Sequence, residues 1–214
     1  MRIIGWWIVG WWIVALGAWG VVGYALVAYA VKTPGSTVHP KMMEVYSRET
    51  IGILTHVFGS ALALLLGPLQ FVERWRRARP VVHRTLGKMY LALGVVPGGV
   101  AGLYMAFHSY GGWIAHAGFG VGAAVWLVTA WLAYAAARRR DFVSHRAWMI
   151  RNFAMTFAAV TLRIQLGSSF AAGIDFDVFY PIVAWSSWVP NLVVAEWLIR
   201  VGHRASAPEL QREI

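Results

Sequence analysis

Four histidines are the residues whose type and spacing could do chemistry in this chain. His56 opens the apolar stretch HVFGSALALLLGPLQF, and the basic turn ERWRRARPVVHR then delivers His83-Arg84. His116 opens HAGFGVGAAVWLVTAWLAYAA, and RRRDFVSHR delivers His145-Arg146. The two His-to-His separations are 27 and 29 residues, about one membrane crossing each. Imidazoles repeated at that interval in an apolar chain suit paired axial ligands of haem, and with them electron transfer across a membrane. The chain has no cysteine, which excludes disulfides, thiolate–metal sites, iron–sulfur clusters and thioether-linked haem. Two non-covalent haem b groups are therefore the cofactors this pattern would hold.

The elements that must position these groups are membrane helices. Of 214 residues, 59% are hydrophobic and only 13% charged, against about 25% charged in soluble domains. Apolar runs of about 20 residues or more indicate spans over residues 3–31, 51–72, 82–107, 113–136, 143–170 and 178–200. A single membrane domain covers 1–214, an all-α bundle of six crossings. Trp6, Trp7, Trp11 and Trp12 suit a membrane interface. Cleavage after Ala28-Tyr29-Ala30 is the alternative for the first span, whose length favours an uncleaved anchor. Pro181 and Pro190 predict a kink in the sixth.

The net charge of +10 is carried by two turns, one with Arg74, Arg76, Arg77, Arg79, Arg84 and Lys88, the other with Arg138, Arg139, Arg140, Arg146 and Arg151. Basic clusters between apolar runs predict cytoplasmic loops and contact with anionic lipid rather than nucleic acid. Both termini then face the cytoplasm, in a multi-pass protein of the cell inner membrane. Spans two and three repeat as spans four and five, in the same orientation.

That topology sets His56 and His116 at one level near the outer surface, and His83 and His145 at another near the inner one. Gly59 and Ser60 after His56, Gly120 after His116, and Gly67 deeper in are either room for a macrocycle or close-packing residues. Arg163 lies inside span five, roughly 27 Å along the helix from His145 and at the depth of His56. An intramembrane arginine is a candidate site residue. Its expected partner is a propionate of the outer haem, or else Asp175 or Asp177. Arg84 and Arg146 are the inner counterparts. His39 and His203 are expected to be solvated, and Glu196 with Arg200 to form an i,i+4 pair. His108 could join His56 and His116 in a surface metal site.

Two resemblances follow from these strings. HVFGSALALLLGPLQF, RPVVHRTLGKMY and DFVSHRAWMIRNFAMTFAAVTLR resemble a large bacterial family of predicted multi-span membrane proteins of unknown function, over about residues 50–165. The four-histidine arrangement resembles the di-haem cytochrome b-561 family in topology and ligand spacing. That resemblance implies one haem on His56 and His116 and another on His83 and His145, in a membrane oxidoreductase. No segment matches that family's ascorbate contacts, so a quinol or cytoplasmic donor stays open, as does a homodimer. The alternatives are a haem-free transporter or channel with a His/Arg proton or ion relay, and an outer-face metal-dependent or lipid-processing enzyme.

Overall fold

The computed structural model describes residues 2–33 and 35–210, with side chains described for 9–33 and 35–202. The side chains of Trp6, Trp7 and His203 lie outside that range. Among the described residues the chain is helical with no strand. Helix α1 (Arg2–Leu26) ends in a wide π turn, Val27–Val31. A loop with a 3-10 turn, Pro40–Met42, and the short α2 (Met43–Arg48) leads to α3 (Thr50–Gln70). After α4 (Glu73–Ala78), one crossing is built from α5 (Pro80–Met89), a π segment (Tyr90–Val95) and α6 (Val96–Ala106). Then come α7 (Gly112–Arg138), α8 (Phe142–Ala171), α9 (Phe176–Ser186) and α10 (Val189–Leu210).

Among the described residues, five helical segments are long and apolar enough to cross a membrane: Val9–Val31, Thr50–Gln70, Pro80–Ala106, Gly112–Arg138 and Phe176–Gly202. The expected fifth crossing is α8, the longest helix at about 45 Å. It falls outside this group because Arg146, Arg151, Asn152, Arg163 and Gln165 dilute its apolar residues. It nevertheless sits centrally, packed against α7, α10, α9, α3 and α1. The structure thus has a basic end, with the 71–79 and 139–141 turns, and a loop end, with residues 32–49, 107–111 and 172–175.

Small residues set the helix contacts. Ala15, Ala18, Val22 and Ala25 of α1 recur every three to four positions and are buried, the last three in one cluster with Ile53, Val57, Ala61 and Leu64 of α3. Helices α3 and α6 approach until their backbones touch. A methyl placed on Gly59 would lie 2.7 Å from the Gly98 nitrogen. Without a hydrophobic force between helices in lipid, such close approach is what small residues supply.

The kink expected from proline is present, as a break at Ser187-Trp188 between α9 and α10. Pro190 has no N–H for the Ser186 carbonyl. That carbonyl instead accepts from Gln165 Nε2 at 3.1 Å, and Asn191 Nδ2 bonds the Ser187 carbonyl. Deeper in, a buried polar network joins the π segment to α7 and α8. Tyr90 Oη donates to Asn152 Oδ1 at 2.7 Å, and Asn152 Nδ2 donates to the Trp126 carbonyl and to Thr129 Oγ1. Trp126 Nε1 donates to Thr156 Oγ1.

Candidate functional site

A cavity of about 1190 Å3 occupies the loop-end half of the bundle. It descends along α8 from Phe170 to Thr156, roughly 21 Å. At its floor Trp126 and Thr156 connect to the buried network. Its walls come from α1, α3, α6, α7, α8 and α9, and residues Thr37–Pro40 with Tyr46 cover its loop end. Among known ligand pockets, typically about 300–1,000 Å3, this is at the large end.

Of the residues singled out by sequence, His56 and Arg163 are both in the wall. The charge on Arg163 acts on His56 and on Tyr29 and Tyr46, whose hydroxyls are 3.5 Å apart. His56 Nδ1 is 2.8 Å from the Gly98 carbonyl, so with the proton assigned to Nδ1 its Nε2 is left available. Gly102 makes room for the ring: a methyl there would lie 2.7 Å from Nδ1.

Arg163 has no carboxylate within ion-pair distance among the described residues. One N–H donates to the Ala159 carbonyl at 2.9 Å, and the guanidinium lies 5.3 Å from the centre of the Tyr24 ring. The expected carboxylates are engaged elsewhere. Asp177 takes Lys41 Nζ at 2.6 Å and Tyr110 Oη at 2.5 Å. Asp175 lines the cavity rim but caps α9, accepting the Asp177 N–H.

The other members of the histidine set are distributed differently. His116 is not among the described residues of the cavity wall, and its Nε2 is 2.7 Å from the Ser109 carbonyl. Helix α6 packs extensively against both α3 and α7, between which a haem on His56 and His116 would have to lie. Of the glycines expected to open a slot, Gly59 is closed by α6 and Gly67 by the Phe153 ring, while a methyl on Gly120 would be in ordinary contact with Ala106. At the basic end, His83 and His145 are near enough for the charge of one to act on the other. His145 Nδ1 is 2.9 Å from the Ala133 carbonyl. Arg84 and Arg146 beside them are exposed.

Three further expectations are corrected. His39 is not simply solvated: it stacks on Phe176, with ring centres 4.0 Å apart, and lines the cavity. Glu196 does not pair with Arg200. It takes Arg151 of α8 in a two-pronged bond, at 2.5 and 2.9 Å, because the packing of α10 against α8 sets that guanidinium opposite the carboxylate. His108 turns to its own helix, Nδ1 at 3.0 Å from the Tyr104 carbonyl, and no group of three His, Cys, Asp or Glu able to hold a metal occurs among the described residues. The three-histidine surface metal site is therefore not assembled.

Sequence reasoning missed the tyrosines. Tyr24, Tyr29 and Tyr46 look like interfacial aromatics, and only their place with Arg163 in the wall of one cavity marks them. Gly102 carried a usable signal, as part of the glycine-rich PGGVAG run of a helix facing another glycine-bearing helix.

A family model described as a predicted membrane protein, DUF2306, matches residues 53–199. The chain belongs to that family. The match takes in the cavity residues of α3, α6, α7 and α8 and all four histidines of the repeated pattern. No curated protein and no solved structure matches the chain, and the resemblance to cytochrome b-561 gains no support from these comparisons.

Proposed function

We propose that this membrane protein takes an amphipathic, anionic molecule into the loop-end cavity, with Arg163 as its charge partner and His56, Tyr29 and Tyr46 as its polar contacts. One observation carries this reading: an arginine within the bundle faces a large cavity and meets no carboxylate among the described residues. Placing arginine at mid-bilayer costs about 2.5–3.5 kcal/mol on the insertion scale, an upper bound for Arg163, which lies about two turns from the loop end of α8. A ring such as that of Tyr24 returns about 0.5–2 kcal/mol. A bound anion supplies the remainder. Such a molecule should co-purify with the wild-type protein and be detected by native mass spectrometry. Arg163→Gln should lose it while remaining folded; equal retention by the variant overturns the reading.

A second reading is transmembrane electron transfer by b-type haem. The proximity of His83 and His145 favours it at the basic end, as does His145 being anchored through Nδ1 to a backbone carbonyl, the arrangement that orients a ligating imidazole. In donor chemistry these two residues fit a haem iron, and Arg84 and Arg146 lie beside them for propionates. Haem would supply one-electron transfer. The outer pair fits less well, since only His56 reaches the cavity. Protein from haem-supplied cells should show a six-coordinate haem spectrum sharpened by dithionite. A colourless preparation removes this reading and leaves the first intact.

The placement of α8 as a sixth crossing belongs with these proposals, supported by its length and central packing. So does the repeat of α3 and the α5–α6 crossing as α7 and α8. The basic end is assigned to the cytoplasm of the inner membrane by the concentration of arginine in its turns. The cavity then opens in the outer half of the bilayer.

A further inference from the structure

We propose that the cavity is filled sideways from the bilayer, through a window between α1 and α8, and that its occupant is an anionic phospholipid of the surrounding leaflet. The inference rests on the cavity reading above and on α8 crossing the membrane. Helices α1 and α8 are in contact at mid-depth, where a methyl on Gly17 would lie 3.4 Å from Val160. Toward the loop end open space lies beside both, with the Arg163–Tyr24 contact between them. Methyls placed on Gly20 of α1 and Gly167 of α8 would meet nothing within 4 Å, yet both glycines line the cavity. Tyr24 and Phe170 likewise belong to the wall while 43% and 83% exposed. Residues that face both the cavity and the lipid-facing surface mark an opening at that surface. Arg163 stands just inside it against Tyr24, where an entering phosphate would meet its first cation.

The aqueous route is partly covered. Residues 35–46 lie across the loop end, held by Lys41 on Asp177 and by the His39–Phe176 stack, while the exposed residues 173–175 form the rest of the rim. Thr37 Oγ1, under this cover and in the cavity wall, is buried with no hydrogen-bond partner. A phosphate oxygen would satisfy it. The walls otherwise offer the apolar surface that acyl chains need.

The test uses full-length protein in nanodiscs of phosphatidylcholine doped with spin-labelled phosphatidylglycerol, reading the motionally restricted fraction. Gly20→Phe with Gly167→Phe plugs the window using space the structure leaves open, and Gly20→Ala with Gly167→Ala is too small to do so. Lys41→Cys with Asp177→Cys, bridged by a short bifunctional thiol reagent in this cysteine-free chain, locks the cover. The expected result is an about tenfold preference for the anionic lipid, roughly 1.4 kcal/mol, because the choline cation of the host offsets its phosphate charge at Arg163 whereas the glycerol headgroup does not. The plug should lose it, the alanine pair and the lock should keep it, and inorganic phosphate should not compete. Loss with the lock but not the plug, or displacement by phosphate alone, overturns lateral entry while the cavity reading stands. If wild type and Arg163→Gln both fail to prefer the anionic lipid, the lipid is not the occupant. If Arg163→Gln also leaves every co-purifying anion in place, the cavity reading itself falls.

Discussion

Glycines in this bundle should differ sharply in their tolerance of one methyl group, and the structure ranks them. At Gly102 the added carbon would lie 2.7 Å from Nδ1 and 3.0 Å from Cε1 of His56, well inside contact distance. The ring must therefore rotate away and give up its bond to the Gly98 carbonyl, now 2.8 Å long. A typical hydrogen bond contributes about 0.5–1.5 kcal/mol, and overpacking costs about 1–3 kcal/mol. Helix propensity returns about 1 kcal/mol in favour of alanine. Gly102→Ala should then destabilise by about 1–3 kcal/mol and displace His56 from the cavity wall. Gly59→Ala should cost more, because the obstruction is the backbone of α6 at 2.7–2.9 Å and cannot rotate aside. Gly167→Ala, with open space around it, should be neutral or slightly stabilising. Thermal unfolding in one detergent gives the order, and retention of the bound amphiphile shows whether His56 has moved. If Gly102→Ala matches Gly167→Ala in both assays, the ring does not sit where its role requires.

Asn152 is fully buried, and its amide makes three side-chain bonds in the network around Tyr90. At about 0.6 kcal/mol per bond in membranes, plus the lost packing, Asn152→Ala should cost about 2–4 kcal/mol; an unchanged denaturation midpoint would show that the network is not formed. The Lys41 clamp should be insensitive to pH near neutrality. Its hydrogen bond to Asp177 holds the ammonium above its ordinary value, so the contribution is complete below the unfolded pKa and fades only as pH rises through the higher folded one. Accessibility of a single cysteine placed at Thr37 should therefore change only in strongly alkaline solution or in acid below the ordinary carboxylate range, where Asp177 is protonated, and a change near neutral pH would refute the clamp as the cover's fastening. At the basic end, Glu196→Gln should weaken the tie between α10 and α8, leaving Arg151 the Trp148 ring at 4.5 Å. A double-mutant cycle with Arg151→Met that gives no coupling would show that the two-pronged bond contributes nothing.

The class of the protein and the ends of most helices were legible in the chain alone, for one physical reason. Backbone polar groups in lipid must bond within their own segment, so a long apolar run has little choice but to be a helix. Proline and glycine then mark where the helices bend, as at Pro190 and Gly111, the latter in the left-handed region at φ 95. Arg163 was conspicuous for the same reason, as a charge where charge is costly. What the sequence could not decide is which helix each face would meet. The spacing put His56 and His116 on equivalent faces at equal depth, but the glycines of α3 and α6 let α6 press against α3, so His56 bonds Gly98 and His116 turns to Ser109. Glu196 likewise had a partner one turn away and took Arg151 on another helix. Periodicity fixes direction around a helix axis; only the packing of all the helices together brought His56, Arg163 and the three tyrosines onto one cavity.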